Sequence, residues 1–134
     1  MSNKHDGTLF ERKFAEILYR RGFWVLHIPD GKNGQPFDIL AVRNNDAYAF
    51  DCKVCAGQRF LFKRIEDNQR NAFNTWRISG NNPAMIAIHL PEGIYLVRYA
   101  DIRQLEKCNV RSLSISGIKE HGIELGQWLK GWKA

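Results

Sequence analysis

Two chemically active side chains, Asp51 and Lys53, stand two residues apart in a stretch rich in strand-forming residues. Because side chains alternate between the two faces of a strand, this pair shares its face with Ala47 and Ala49. The small alanines leave open space beside a charged pair, which is typical of a pocket. The opposite face is apolar and predicts a core contact. Taken alone, the pair is also compatible with a surface ion pair on an edge strand.

A second carboxylate, Asp38, heads the strand face that Leu40 and Val42 continue. Burying a charge there is costly unless it is paired or binds a metal. If its strand lies beside that of Asp51, the two carboxylates could converge on Mg²⁺, which one or two carboxylates plus a substrate phosphate can hold. Such an ion polarises a phosphodiester and lowers the pKa of a bound water, which a nearby lysine can orient or deprotonate. The alternative is that Asp38 caps a turn after Pro36.

Hydrophobic spacing predicts the elements that position these residues. Helices are expected over residues 8–21, 65–76 and 101–107, the last one capped by Asp101, and strands over residues 23–28, 37–42, 47–54, 84–90 and 94–99. A loop at residues 31–36 precedes the second strand, and Asn44 to Asp46 closes a hairpin between the second and third. The tail is less defined, with a strand at residues 112–116 and a terminal helix carrying Leu125, Trp128, Leu129 and Trp132. This order predicts a mixed α/β fold with a central mixed sheet flanked by helices.

The bulk composition limits the possible classes of protein. At 134 residues and 44% hydrophobic, the chain is expected to form a single domain over residues 1–134. A net charge of +6 favours a polyanionic partner, nucleic acid first and an anionic membrane second. No apolar stretch approaches the ~20 residues of a membrane span, and the N-terminus lacks the apolar core of a signal peptide. The lack of both segments, together with an odd number of cysteines, three, favours an intracellular, cytoplasmic protein with reduced thiols.

One apparent metal motif is discarded. Cys52 and Cys55 form a C-x-x-C pair, but residues an odd number of positions apart on a strand point to opposite faces. There is no second pair to complete a zinc site.

The spacing of the candidate residues resembles the PD-(D/E)xK nuclease superfamily. The matching pattern is Gly7-x-x-x-Glu11, Gly22-Phe23, Gly34-x-x-Phe37-Asp38 and Asp51-Cys52-Lys53. Within the superfamily the chain looks most like small Holliday junction resolvases of the archaeal and RecU types and their phage relatives, over about residues 7 to 73. The resemblance implies a restriction-endonuclease-like core and a prokaryotic, archaeal or phage-encoded protein.

Carried over by position, the resemblance implies that Glu11, Asp38 and Asp51 bind one or two Mg²⁺ or Mn²⁺ ions. It implies that Lys53 assists the attacking water, and that the backbone carbonyl of Cys52 is a further metal ligand. Two positions depart from the pattern: Phe37 stands where proline is typical, and Asp51 where glutamate is commoner. The shorter aspartate still supplies a carboxylate but would shift the metal.

Two further positions have competing interpretations. Glu11 also fits a capping box with Thr8, in which a glutamate at the third helical position bonds back to the cap residue. Gln69 interrupts the apolar stripe of its helix. A glutamine at a similar place recurs in resolvase-like nucleases, which makes Gln69 a candidate catalytic residue, but it is equally a core-edge residue satisfied by backbone.

Basic residues surround Gln69, namely Arg59, Lys63, Arg64, Arg70 and Arg77. Such a run is usually a solvated face. Beside a candidate phosphodiester site, it predicts a strip that binds the DNA backbone.

The resulting hypothesis is a Mg²⁺- or Mn²⁺-dependent DNA endonuclease that prefers branched DNA such as a Holliday junction. The resemblance implies a homodimer, since cutting two opposed strands needs two sites and a twofold dimer supplies them. One alternative is a restriction-like or repair nuclease with the same core, because metal sites are reused across functions. Another is a DNA-binding module that has lost catalysis, against which Lys53 and the three carboxylates weigh.

Overall fold

The computed structural model describes residues 3–29 and 34–131. Its helices are α1 (Asn3–Arg20), α2 (Asp67–Ile78), α3 (Tyr99–Lys107), α4 (Ile115–His121) and α5 (Leu125–Lys130). Its strands are β1 (Trp24–His27), β2 (Ile39–Arg43), β3 (Asp46–Val54), β4 (Arg59–Leu61), β5 (Met85–Leu90), β6 (Gly93–Arg98), β7 (Ser112–Ser114) and β8 (Ile123–Glu124). A short 3-10 helix (Phe62–Arg64) connects β4 to α2.

Six of the strands form one sheet in the order β1-β2-β3-β5-β6-β8, and β4 and β7 form a separate pair. The β3–β5 pairing is parallel and the other pairings in the large sheet are antiparallel. A parallel pair needs a crossover connection, which β4, the 3-10 helix and α2 supply. The predicted mixed sheet flanked by helices is therefore confirmed.

Each face of the large sheet carries its own apolar core. On one face, α1 and α5 pack against β3, and the rings of Phe14 and Phe50 meet edge to face with centroids 4.9 Å apart. On the other face, α2, α3 and α4 pack on β5 through Phe73, Ile102 and Ile118. The alternation of β3 divides its side chains between these two cores.

The two cysteines of the C-x-x-C pair follow this division. Cys52 belongs to the α1 core and Cys55 to the α2 core, and both are free thiols. The prediction that they point to opposite faces and form no joint site is confirmed.

Several predicted boundaries differ from the structure. The first helix begins at Asn3 rather than residue 8, so Thr8 lies inside the helix and is not its N-cap residue. The prediction that Glu11 forms a capping box with Thr8 is therefore wrong. The predicted strand at residues 112–116 ends at Ser114. This serine is the N-cap residue of α4, and its hydroxyl accepts a hydrogen bond from the Gly117 N–H. In short polar segments, an alternation of polar and apolar residues can arise by chance. An N-cap residue such as Ser114 then determines where the strand ends and the helix begins.

Other parts of the tail and loop also need correction. Helix α3 has Arg98 at its N-cap position rather than Asp101. Trp128 packs in the α1 core against Phe23, whereas Trp132 and residues 31–33 of the predicted loop lie outside the described ranges. Among the described helices, none is long and apolar enough to cross a bilayer.

Candidate active site

The β2–β3 hairpin places two carboxylates side by side. The pairing with β3 begins one residue before β2, where the Asp38 N–H donates to the Phe50 carbonyl at 3.0 Å. Asp38 therefore sits beside Asp51, and the two residues are 4% and 0% exposed. The interpretation of Asp51 and Lys53 as a surface ion pair on an edge strand is wrong, because β3 is an interior strand and Asp51 is fully buried.

The carboxylate of Asp38 is held at both oxygens. The backbone N–H of Cys52 donates to Oδ2 at 2.7 Å, and the side-chain amide of Gln35 donates to Oδ1. Gln35 is itself held by Asn68, which donates to its carbonyl at 2.6 Å. Asp38 thus reaches across to β3, and two donors fix its orientation.

Lys53 and Gln69 hold Asp51. Lys53 Nζ lies 3.0 Å from Asp51 Oδ2, and Gln69 Nε2 donates to Asp51 Oδ1 at 2.7 Å. The other end of the glutamine, Oε1, accepts the Glu66 backbone N–H at 3.0 Å and lies 3.5 Å from Lys53 Nζ. One amide therefore caps α2 and contacts Asp51 at the same time, and the catalytic role of Gln69 stays a prediction.

The surroundings of Asp51 disfavour its charged form. Burial raises the pKa of Asp51 well above its usual range, the charge of Lys53 lowers it, and the neighbouring Asp38 raises it further. Burial, followed by the negative charges of Asp38, Asp51 and Glu11, also raises the pKa of the Cys52 thiol. The negative charges of three carboxylates therefore act at Cys52, and the adjacent pair Asp38 and Asp51 forms the candidate centre.

This centre fits a divalent cation. Asp51 Oδ2 is buried, and apart from its ion-pair contact with Lys53 it accepts no hydrogen bond from the described residues. A buried acceptor of this kind, next to a second carboxylate, is stabilised by a cation. Within residues 3–29 and 34–131, no three His, Cys, Asp or Glu side chains converge as a complete metal cluster. The pair Asp38 and Asp51 matches an ion such as Mg²⁺, which binds through one or two carboxylates and retains waters.

Glu11 lies near this centre but is engaged elsewhere. Its Oε1 atom lies 2.8 Å from Nε2 of His27 on β1, and its side chain is 18% exposed. The role of Glu11 in a metal site, like that of the Cys52 carbonyl, remains a prediction.

The raised pKa of Asp51 predicts a pH dependence of stability without metal. Below about pH 4, the ordinary aspartate pKa, Asp51 is protonated in both folded and unfolded chains. As the pH rises above that value, the unfolded chain releases this proton more readily, so the free energy of unfolding falls until the pH passes the raised folded-state pKa. We expect wild type in EDTA to lose more stability from acid to neutral pH than Asp51→Asn, measured by urea unfolding.

Added Mn²⁺ should restore the stability that wild type loses, because a ligand that binds only the folded chain stabilises it. It should have little effect on Asp51→Asn. Parallel pH profiles for the two proteins would contradict the assignment of the buried charge to Asp51.

Three of the predicted DNA-binding residues are exposed on neighbouring elements, and one of them, Arg64, lies beside Lys53. Arg59, Lys63 and Arg64 are exposed on β4 and the 3-10 helix. Arg64 lines a cleft of about 460 Å³ together with Lys53 and Gly7, and it donates to the Val54 carbonyl at 2.8 Å. This cleft is the opening through which a substrate would approach Lys53.

Arg70 does not belong to that strip. Its guanidinium pairs with both carboxylate oxygens of Glu106 on α3, at 2.9 and 3.1 Å, and also donates to the carbonyls of Phe62 and Ile65. The side chain is only 18% exposed. The prediction that Arg70 binds DNA is therefore corrected: its donors connect α2 to the 3-10 helix and to α3.

Arg77 lies just over two helical turns beyond Gln69, away from the centre, and lines a different cavity with Arg103 and Lys107. Sequence reasoning missed these two partners, because nothing local relates α3 to α2. It also missed Gln35, for which a signal existed: a polar side chain between the motif positions Gly34 and Asp38.

Comparisons with known proteins agree with this geometry. The sequence profile of the family described as "Archaeal holliday junction resolvase (hjc)" matches residues 2–134. The fold is similar to that of Archaeoglobus fulgidus Hjc, described as a Holliday junction resolvase from an archaeal hyperthermophile, at 22% identity and a TM-score of 0.68. That similarity covers 92% of this chain and 99% of the other. No curated protein matches the sequence significantly. The family match spans the whole candidate site, from Glu11 to Gln69.

Proposed function

This chain belongs to the archaeal Holliday junction resolvase family, and on that basis we propose that it hydrolyses branched DNA at Asp38, Asp51 and Lys53 with a bound divalent metal ion. The family supports a structure-selective nuclease of the Holliday junction resolvase type. It does not favour the alternatives of a restriction-like or repair nuclease, or of an inactive DNA-binding module.

The metal-binding residues in this proposal are Asp38 and Asp51, with Glu11 and the Cys52 carbonyl as further ligands. The observation that carries the proposal is the buried Oδ2 of Asp51, which contacts Lys53 but accepts no hydrogen bond from the described residues. Mg²⁺ or Mn²⁺ bound there would supply positive charge to the scissile phosphate and lower the pKa of a water.

The protein's own groups prepare that site before substrate arrives. Gln69 and the Cys52 N–H hold the two carboxylates in place, at 2.7 Å in each case. Lys53 Nζ stands beside Asp51 at the cleft, where it orients the attacking water and exchanges a proton with it. Glu11 would exchange its contact with His27 for the metal. Arg59, Lys63 and Arg64 bind the DNA backbone beside the cleft.

The experiment is cleavage of a synthetic four-way junction and of a linear duplex carrying the same sequences, in Mg²⁺, Mn²⁺ or EDTA. We expect the junction to be cut faster than the duplex, with either metal, and no cutting in EDTA. Cutting that persists in EDTA would reject the metal-dependent mechanism. Equal cutting of both substrates would reject selectivity for branched DNA.

We also propose that the chain acts as a homodimer through the exposed face of β1 and β2. Trp24 and Leu26 are 60% and 44% exposed, on the edge strand of the sheet. They lie opposite Val42 and Leu40, on the face that α2 covers further along the sheet. A twofold interface there would bury these apolar side chains and supply the two active sites that two opposed cuts require.

Leu26→Glu is expected to convert the dimer to a monomer, because it places two charges at the centre of a twofold interface. The oligomeric state would be measured by sedimentation, with the exposed Tyr19→Glu on α1, which packs on the opposite face of the sheet, as the matched control. A wild-type monomer at concentrations where both junction strands are cut would exclude the dimer, and a dimeric Leu26→Glu would exclude this face.

A further inference from the structure

A second basic cavity, separate from the candidate active site, lies between the C-terminal half of α2 and one side of α3. We call it the α2–α3 cavity, and its volume is about 450 Å³. Three cations line it, Arg77, Arg103 and Lys107. Apolar groups of Phe73 and Ala84 also line it. Its size lies within the range of small-molecule binding sites.

The protein neutralises the charge of the cavity only in part. No Asp or Glu is among its described lining residues. Arg103 contacts Glu106 at 3.2 Å, but Glu106 also pairs with Arg70. Arg77 and Lys107 form no ion pair with any residue in the described ranges. A concave surface with three cations and no lining carboxylate attracts an anion.

The remaining lining residues indicate which kind of anion fits. Residues with side-chain amides line the cavity beside the cations, namely Asn74, Asn81 and Gln104. The side-chain amide of a fourth lining residue, Asn82, donates to Asp46 and to the Ala47 carbonyl. Amides pair with the polar edges of nucleobases, and apolar groups cover a base or a sugar. A bare inorganic anion would use the cations and the amide donors but leave the apolar groups uncovered, whereas a nucleotide would use all three kinds of group.

The position of the cavity relates it to the active site. Arg77 and Gln69 lie on the same helix, about 12 Å apart along its axis. Asn82 of the cavity donates to Asp46, which lies seven residues before Lys53 on β3, or about 23 Å along the strand. Successive phosphates of one strand of duplex DNA are spaced at about 3.4 Å along the axis, so a strand whose scissile phosphate is at Lys53 spans that distance in about seven nucleotides.

We propose that the α2–α3 cavity binds a phosphate-bearing nucleotide of the substrate, up to about seven nucleotides from the scissile phosphate. The phosphate lies at Arg77, Arg103 and Lys107, and the base or sugar faces the amides and the apolar floor. The choice of a DNA strand as the source of this nucleotide rests on the proposed function. The binding chemistry of the cavity does not.

The first test measures the affinity of the full chain for a four-way junction in EDTA over a series of salt concentrations. Arg77→Gln with Lys107→Gln is compared with Arg20→Gln plus Lys130→Gln, which removes the same charge from α1 and α5 on the opposite face of the sheet. The cavity variant is expected to reduce the slope of log affinity against log salt by about 0.9, the value for the one phosphate that the protein no longer neutralises, and the control is expected to leave the slope unchanged. Equal changes in both variants, or none in either, would overturn the proposal for DNA.

The second test separates this inference from the proposed function. Thymidine 5′-monophosphate, thymidine and inorganic phosphate are titrated into the protein while the side-chain amide NMR signals of Asn81 and Gln104 are followed. Saturable shifts are expected with the monophosphate, with weaker ones for the other two, and they should vanish in the cavity variant. Equal shifts with inorganic phosphate would overturn the nucleotide assignment. Shifts with the monophosphate in a protein that neither binds nor cuts junctions would reject the proposed function but retain the cavity.

Discussion

Asp51→Asn is expected to lower the rate of junction cleavage by at least about 10³-fold, because charge stabilisation by a bound metal ion is worth several kcal/mol and each 1.36 kcal/mol is tenfold in rate. The substitution keeps the shape of the side chain, so the Gln69 contact at 2.7 Å can be retained through the carbonyl oxygen of the new amide. Only the second oxygen, which contacts Lys53, is replaced by an uncharged group. Junction affinity in EDTA should be equal or higher, since a negative charge near the DNA is removed.

The rate would be measured in single-turnover reactions with saturating protein, so that binding does not limit it. Asp46→Asn is the matched control: it is the same substitution at the start of the same strand, where Asp46 accepts from Asn82 at 3.2 Å. Asp46→Asn should leave the fold intact and cleave the junction at the wild-type rate. If Asp51→Asn cleaves within about tenfold of wild type, a loss of only about 1.4 kcal/mol, Asp51 does not hold the metal.

Lys53→Met is expected to reduce the cleavage rate by about 10² to 10⁴-fold, the usual contribution of a positioned proton-transfer group. Methionine has a similar length and no charge, so it fills the space beside Asp51 without donating a proton. Because the ammonium group no longer repels a cation, the variant should retain Mn²⁺ binding in mildly alkaline buffer. This combination, a lower rate with metal still bound, distinguishes Lys53 from the carboxylates.

Metal binding would be followed by calorimetry with Mn²⁺ and cleavage by the same single-turnover assay. The matched control is Lys63→Met, which removes an exposed lysine from the neighbouring 3-10 helix and should affect DNA affinity more than rate. Should Lys53→Met lose metal binding together with cleavage, the lysine would be a structural partner of Asp51 rather than a participant in the reaction.

The core of the candidate site could be predicted from sequence because it depends on local geometry. Alternation along β3 separates Asp51 and Lys53 from Phe50 and Cys52 whatever surrounds the strand. The connection to β2 is equally local. Asn44 and Asn45 both adopt positive φ, at 53° and 68°, a conformation that asparagine tolerates and that two-residue hairpin turns require. This turn sets the register, and the register brings Asp38 beside Asp51.

Contacts between distant segments could not be predicted in this way. The hydrogen bond from Gln69 to Asp51 depends on how α2 packs on the sheet. The local sequence around Gln69 does not indicate which residue its side-chain amide contacts. Strand β4 was missed because its three residues are a strand only through pairing with β7. Short segments have too little periodicity of their own, so the partner decides their structure.

The basic residues show the same division between sequence and structure. Composition alone determines the net positive charge and predicts a nucleic-acid partner. Only the fold decided which cations are available. Arg70 is occupied by Glu106 of α3, whereas Arg77, two turns along the same helix, joins Arg103 and Lys107 around a cavity. Charge is a property of residue types, but ion pairing depends on distances that only tertiary packing sets.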